Sequence, residues 1–114
     1  MQTFTSRNLQ RSLLALSLGC FVNANSWADS NAARAKVQTL CQVCHGMDGV
    51  AILTEAPNLS GQQKGYLIAQ LRLYRAGIRH DPQMNIVAKS LSDADNENLA
   101  DWYSAIKIKV EPPK

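Results

Sequence analysis

The sequence predicts a small all-α domain of three to five helices. Apolar residues recur at helical spacing in several stretches, of which Leu67, Leu71 and Tyr74 are one example. Glycine, proline and asparagine separate these stretches, and no pair of alternating apolar segments indicates a β-hairpin. Residues 106–110 do alternate, but they are few and follow a strong helical pattern, so we expect a frayed tail there.

Residues 1–28 have the pattern of a secretory signal peptide. Arg7 and Arg11 precede an apolar run over 13–22, and a small-residue cleavage site ends at Ala28. About ten apolar residues are too few to cross a bilayer as a helix, which takes about twenty. We therefore expect cleavage after Ala28 and export of the remaining chain to the periplasm.

Two alternatives for this segment stay open. Cleavage after Ala24 would make it shorter, and Cys20 would be the modified residue of a lipoprotein signal, although Ser17 stands where such signals carry a leucine-like residue. With cleavage after Ala28, the mature domain is 29–114 and its cysteines are Cys41 and Cys44.

The expected mature domain is short and almost neutral. The whole chain has a formal charge of +3, but removing Arg7 and Arg11 from its 12 basic residues leaves ten against nine acidic ones, or about +1. That balance lacks the basic stripe of a nucleic-acid-binding protein. Its 86 residues, 114 minus 28, can bury only a small apolar core. A buried cofactor would supply part of that core.

The first helix is predicted over 31–40, where Ala33, Val37 and Leu40 lie at helical spacing. It leads directly into a cysteine-containing motif. The following segment, 46–61, carries Gly49, Pro57, Asn58 and Gly61 and predicts an irregular loop.

The second helix is predicted over 64–76 and is ended by Gly77. Two of its faces differ in character. One carries Leu67, Gln70, Leu71 and Tyr74, and the other carries Arg72, Arg75 and, just beyond the helix, Arg79.

The last third of the chain predicts a turn over 80–85 and two helical turns over 86–90. Ser92 is a candidate N-cap for the final helix, which we expect to end near Ile108 and leave a short tail over 109–114. The apolar stripe of this helix is Leu99, Trp102, Tyr103 and Ile106.

The pattern Cys-x-x-Cys-His occurs once, at Cys41, Cys44 and His45. Two thiols on one turn of backbone form thioethers to the two vinyl groups of haem, and the adjacent imidazole lies under the iron. The motif therefore predicts one covalent haem c, with His45 as an axial ligand of its iron.

Three other interpretations of the motif compete with haem. A structural zinc ion needs about four ligands, and the expected mature domain adds only His80 to the three residues of the motif. A redox-active dithiol would be expected near a βαβ pattern, whereas the neighbouring sequence is helical. A structural disulfide between Cys41 and Cys44 would not explain why His45 follows the second cysteine.

The second axial position of the iron decides between electron transfer and chemistry on a small molecule. Met84 is the main candidate, because Met47 is too close to His45 to reach the opposite face of the haem. His80 and an open position remain alternatives. A thioether ligand favours ferrous iron and predicts a one-electron carrier.

With these residues, the chain resembles the class I c-type cytochromes, in particular the small bacterial monohaem group related to the halves of dihaem periplasmic cytochromes. The resemblance implies that Pro57 offers its carbonyl to the outer nitrogen of His45. It also implies that the first and last helices cross, so that the face from Ala33 to Val37 meets Trp102 or Tyr103, although the family often has glycine at the position of Ala33. The segments that carry the resemblance are 41–49, 57–62, 66–67, 70–71, 77–79, Met84 and 91–93.

The resemblance and the predicted His45/Met84 pair together imply a periplasmic electron carrier, or a small haem subunit of a redox complex, that is not an enzyme. The expected partners are a donor dehydrogenase or cytochrome complex and an acceptor oxidase or reductase. We expect no nucleic acid, no stable membrane insertion, and a monomer or a small subunit. Lys64, Arg72 and Arg75 would steer an acidic partner.

Two further points stay open. The apolar residues 51–53 would line the haem edge or form a docking patch. The alternative function is a haem enzyme or a gas-binding sensor with an open or labile sixth position, for which His80 and Arg79 are weak candidates as distal groups.

Overall fold

A computed structural model describes residues 29–114, and the predicted signal segment lies outside the described residues. Within this range the chain is helical and contains no strand, which confirms the predicted all-α class. None of these helices is long and apolar enough to cross a membrane. The elements are α1 (Ser30–Lys36), a π-helical turn (Val37–Cys41), α2 (Gln42–His45), α3 (Lys64–Arg75), α4 (Pro82–Lys89) and α5 (Asp93–Ser104).

The first helix extends further than predicted and includes the Cys-x-x-Cys-His motif. Asp29 caps it by accepting hydrogen bonds from the amides of Asn31 and Ala32. The turn over Val37–Cys41 is wider than an α-turn, so the Gln42 amide bonds to the carbonyl of Val37, five residues earlier. A π-turn at this position has no signal in the sequence.

The core forms where α5 packs against α1 and α3. Ala33 and Val37 of the first helix are buried, as are Ala100 and Tyr103 of the last. The predicted crossing of the first and last helices is therefore confirmed. Ala33 is only 2% exposed, so alanine fits at this crossing.

The last helix begins as predicted and ends early. Ser92 and Asp95 form a capping box at its start. Its end is at Ser104, so the expected end near Ile108 is wrong. The amide of Gly61 donates to the carbonyl of Tyr103 at 2.9 Å, and this carbonyl is the acceptor that a further helical turn would need.

The predicted turn over 80–85 is also partly wrong, because α4 already begins at Pro82. The Asp81 carboxylate accepts hydrogen bonds from the amides of Gln83 and Met84 at 3.0 and 2.7 Å. Asp-Pro is a standard helix start, since proline loses no hydrogen bond at the first helical position. Met84 is thus on the first turn of a helix.

Candidate haem-binding site

A cleft of about 260 Å³ lies between the motif, the loop after it and the helices α3, α4 and α5. The side chains that line it include those of the predicted apolar face of α3, namely Leu67, Gln70, Leu71 and Tyr74. The lining is mainly apolar, and filling such a cleft adds packing contacts, so this geometry suits an apolar ligand. Its other aliphatic walls are Leu40, Val43, Leu59, Val87, Leu91 and Leu99.

Cys41, Cys44 and His45 all line this cleft. The imidazole of His45 is 7% exposed, and its Nδ1 lies 2.9 Å from the carbonyl oxygen of Pro57. A carbonyl can only accept, so Nδ1 carries the proton and donates. The free electron pair is therefore on Nε2, the nitrogen that can bind a metal in the cleft.

Two aromatic residues of α5 fix the backbone that follows His45. The hydroxyl of Tyr103 donates to the carbonyl of Gly46 at 3.1 Å, and the indole N–H of Trp102 donates to the carbonyl of Met47 at 3.0 Å. The sequence predicted both rings as part of an apolar stripe, but their polar contacts could not be predicted from spacing. They hold the motif and its loop against the core.

A glycine is required where the loop passes closest to α5. Gly49 has a φ of 74°, and a Cβ there would lie 2.5 Å from the amide nitrogen of Ser60 and 2.9 Å from the ring of Tyr103. The carbonyl of Gly49 accepts from the amide of Leu59 at 2.7 Å. The two ends of the loop are thereby joined beneath the cleft.

Met84 lines the cleft from α4 and is half-buried. Its neighbour Asn85 organises this side of the site. The amide nitrogen of the Asn85 side chain donates to the carbonyls of Tyr74 and Arg79 at 2.6 and 2.8 Å, and the side-chain oxygen accepts from the amide of Asp81 at 2.9 Å. Sequence reasoning missed Asn85, since a polar residue after a turn has many ordinary explanations.

Of the other candidate residues, Arg79 lines the cleft, whereas His80, Met47 and residues 51–53 do not. His80 is exposed and lies outside it. Met47 packs against the hydrophobic core. Ile52 and Leu53 are 67% and 47% exposed and also lie outside it, so the expectation that they line a haem edge is wrong for this cleft.

The expected basic face is largely neutralised by neighbouring carboxylates. Lys64 lies 2.8 Å from Asp101 and pairs with a second carboxylate of α5, and these contacts raise its pKa. Arg75 pairs with Asp93, holding the pKa of that carboxyl below its usual range. Of the three expected steering residues, Arg72 alone has no carboxylate within ion-pair distance in residues 29–114.

The zinc and dithiol alternatives find no support. Across 29–114, no group of three His, Cys, Asp or Glu side chains converges as a metal site. Cys41 and Cys44 are not joined by a disulfide. Burial, and secondarily the neighbouring Cys44, raises the pKa of Cys41 to about 11, whereas a reactive redox cysteine needs a lowered pKa.

An all-α domain with Cys-x-x-Cys-His and a methionine on the wall of one apolar cleft is typical of proteins that bind haem covalently. The cytochrome c-554(548) of Halomonas halodenitrificans is 38% identical over 80 residues, which cover 68% of this chain and 95% of that protein. The cytochrome c4 of Pseudomonas aeruginosa is 33% identical over 97 residues, covering 85% of this chain and 48% of that protein. The chain therefore belongs to the class I c-type cytochromes.

A solved structure supports the same assignment. The cytochrome c4 of Acidithiobacillus ferrooxidans matches with a TM-score of 0.63 and 29% identity, covering 68% of this chain and 49% of that one. No family model matches the sequence. The chain spans about half the length of the cytochromes c4 to which it is similar, so it is comparable to one half of a dihaem cytochrome.

The chemistry of the cleft fits the haem c that this family carries. Two thiols and an imidazole stand on its wall for attachment, and a thioether stands on α4. The remaining wall is mainly aliphatic and aromatic, which suits a macrocycle. The predicted cofactor and the observed cavity therefore agree.

Proposed function

We propose that this chain is a one-electron carrier in which Cys41 and Cys44 hold haem c through thioethers and His45 and Met84 bind the iron. One observation carries the proposal: all four side chains, from two segments far apart in the sequence, line the same apolar cleft. When bound, the haem supplies one ferric/ferrous couple.

The residues around the cleft suit such a couple. Pro57 orients His45 and holds its proton on Nδ1, so no proton needs to move when the iron changes charge. Met84, as a thioether, favours the ferrous state. The walls of the cleft are mainly aliphatic, and low polarity around haem raises its potential.

The cleft offers little for an enzyme or sensor. Among the described residues that line it there is no Asp or Glu, and Arg79 is the single Lys or Arg. General acid–base catalysis needs a titratable group within hydrogen-bond reach of the reacting atoms. His80, the other distal candidate, is exposed and away from the cleft. These features support a carrier over an enzyme.

We also propose that the protein is exported and exchanges electrons with redox partners. The signal-like segment 1–28 supports periplasmic localisation. Val43, between the two cysteines, lines the cleft and is 64% exposed, so the attachment segment itself reaches the surface. Transient redox encounters use small contact areas of this kind. A donor dehydrogenase or cytochrome complex and an acceptor oxidase or reductase are the partner classes that fit.

The test is a matched pair of methionine variants of the exported holoprotein, Met84→Leu and Met47→Leu. We expect wild type and Met47→Leu to show covalent haem and the weak far-red band of ferric iron–thioether bonding. Met84→Leu should keep the covalent haem, lose that band, bind carbon monoxide when reduced and have a lower midpoint potential. Optical spectra and potentiometry measure all four properties.

Several results would contradict the proposal. If Met84→Leu keeps the far-red band, another thioether is the ligand. If wild type lacks the band and His80→Gln, unlike Met84→Leu, makes the reduced iron bind carbon monoxide, His80 is the ligand. If reduced wild type already binds carbon monoxide at full occupancy, the sixth position is open and the sensor or enzyme interpretation replaces the carrier. An exported chain without covalent haem would refute the cofactor assignment itself.

A further inference from the structure

The first helix changes its geometry just before the haem-attachment motif. α1 (Ser30–Lys36) is followed by the π-turn over Val37–Cys41 and then by α2 (Gln42–His45). In the π-turn the Gln42 amide donates to the carbonyl of Val37, five residues earlier, so this turn holds about one residue more than an α-turn. Every residue after the π-turn is therefore rotated relative to its position in an unbroken α-helix.

The size of this rotation decides which side chain of the motif faces the interior. Cys44 is eleven residues after Ala33, and His45 is twelve residues after it. An α-helix turns by about 100° per residue, so an unbroken helix would place Cys44 about 20° from the direction of Ala33 and His45 about 120° from it. One extra residue in the turn moves both back by about 100°. His45 then lies about 20° from Ala33, and Cys44 lies about 80° away on the other side.

The observed burial matches the rotated arrangement. Ala33 and Val37 are 2% and 0% exposed, and His45 is also buried. Cys44 is only partly buried. The buried side of the first helix therefore continues from α1 through the π-turn to His45, whereas an unbroken α-helix would continue it to Cys44.

Thr39 supplies contacts that favour the wider turn. Its hydroxyl lies 2.9 Å from the carbonyl oxygen of Ala35 and 3.3 Å from that of Lys36, the two residues directly before the π-turn. A threonine that bonds to carbonyls of the preceding turn competes with the helical amides for them and distorts the helix. The side chain of Thr39 is exposed, so these contacts are its main contribution to the structure.

We infer that the π-turn, stabilised by the hydroxyl of Thr39, sets the rotation of the attachment motif and so places His45 in the cleft. This inference rests on the proposed function, which makes His45 an iron ligand. In the rotated arrangement the imidazole of His45 and the thiols of Cys41 and Cys44 all line the cleft. Thr39 is then a positioning residue that acts on the iron through His45.

The test changes the number of residues in the turn of the exported holoprotein. Gln38 is an exposed residue of the π-turn, and deleting it leaves the number of residues with which a regular α-helix brings His45 to the same angle. We expect this deletion to keep covalent haem on both cysteines and to unfold within about 5 °C of wild type. An alanine inserted between Gln38 and Thr39 rotates the motif by about another 100°, so covalent haem should be lost. Intact mass, the pyridine haemochrome spectrum and thermal unfolding measure these properties.

A deletion of Ala69 serves as the control. Ala69 is also exposed, but it lies in the middle of the α-helix α3, between Leu67 and Leu71 of the cleft wall. Its deletion rotates the second half of α3 by about 100°, so we expect the loss of covalent haem and of stability. If the deletion of Gln38 is as damaging as the deletion of Ala69, the inference is wrong.

Two substitutions test the hydroxyl of Thr39. Thr39→Val should lower the midpoint of thermal unfolding by about 5 °C, whereas Thr39→Ser, which keeps the hydroxyl, should leave it unchanged. When Gln38 is deleted the turn is no longer wide, so Thr39→Val should then have a much smaller effect. Equal shifts with and without Gln38 would overturn the role of Thr39, because the two changes would then be independent.

The outcomes for this inference are distinct from those for the proposed function. If wild type carries covalent haem and the Gln38 deletion does not, the carrier stands and the inference is wrong. If wild type lacks covalent haem, the carrier fails. Thermal unfolding of the Gln38 and Ala69 deletions still tests the rotation in that case, and equal losses of stability again overturn it.

Discussion

The two proposed iron ligands are held by different kinds of structure. On the His45 side, Trp102 and Tyr103 reach from α5 to carbonyls 55 and 57 residues earlier in the chain. On the Met84 side, Asn85 binds carbonyls only 11 and 6 residues earlier. One side is therefore part of the core of the domain, and the other is a local hydrogen-bonded unit.

This difference predicts how each side opens. Releasing His45 requires breaking contacts between the first and last helices, which form the buried core. Releasing Met84 requires breaking the bonds of Asn85 within 74–85 and the packing of α4 on α3, without parting the first and last helices. Regions held by few local bonds open at a free energy below that of global unfolding. Ligand exchange should therefore occur at Met84 while His45 stays bound.

The largest expected effect comes from Tyr103→Ala, which breaks the His45 side. Tyr103 is 3% exposed and combines core packing with the bond to Gly46. Removing a buried aromatic ring typically costs about 3–5 kcal/mol in the free energy of unfolding. Denaturant unfolding of the holoprotein, followed by far-UV circular dichroism, measures this loss.

Tyr103→Phe separates the two contributions of this residue. It keeps the ring and removes the hydroxyl, so we expect a loss of about 1 kcal/mol. If Tyr103→Ala and Tyr103→Phe have equal stability, packing of the ring contributes nothing, and the distinction between a core-held and a locally held ligand disappears.

The next largest effect is expected from Asn85→Ala on the Met84 side. The change leaves the carbonyls of Tyr74 and Arg79 and the amide of Asp81 without this partner, which costs about 1–3 kcal/mol. The loss should be mainly local, so imidazole or carbon monoxide should displace Met84 faster than in wild type. Stopped-flow mixing measures that rate.

Asn98→Ala is the matched control. Asn98 also accepts from a distant backbone nitrogen, that of Asp29, but it lies outside the cleft. We expect a small loss of stability with no change in the rate of ligand exchange. Equal exchange rates in Asn85→Ala and Asn98→Ala would show that Asn85 does not control access to the iron.

Much of the fold and of the candidate site could be predicted from the sequence, for physical reasons. The helical spacing of Leu67, Leu71 and Tyr74 predicted a face that now lines the cleft, because packing follows the period of the helix. The early end of α5 could not be predicted, since it depends on Gly61, more than forty residues earlier, capturing the carbonyl of Tyr103. Local sequence patterns predict local structure, but they do not predict contacts between segments that are distant in the sequence.

The different surroundings of the three arginines could not be predicted for the same reason. Spacing placed Arg72, Arg75 and Arg79 together as one basic face. Gly77, with a φ of 71°, ends the helix before the third of them, and the chain then directs Arg79 to the cleft. The helical period no longer applies beyond this glycine. A charge that looked equivalent in the sequence is therefore different in the structure.

The smallest expected effect is the pH dependence of the stability that Asp95 contributes to the His45 side. The carboxylate of Asp95 accepts hydrogen bonds from the amide and hydroxyl of Ser92 and lies 3.4 Å from Lys36, and these contacts hold its pKa below the usual 3.8. A carboxyl whose pKa is lower in the folded state contributes stability that is present above the ordinary pKa and is lost as the pH falls through the folded one.

Asp95→Asn should therefore be less stable than wild type by about 0.5–1 kcal/mol at neutral pH, as expected for a capping contact. The difference should shrink as the pH is lowered below 3.8, because wild type then loses the same charge. Thermal unfolding of the two holoproteins across this range measures it, with Glu111→Gln in the exposed tail as a control that should not differ from wild type. Because Asp95 caps the helix that holds the His45 side, the far-red band of Met84 should be unaffected at neutral pH. A variant that lost this band would show that α5 supports both ligands, and the two sides would then not be independent.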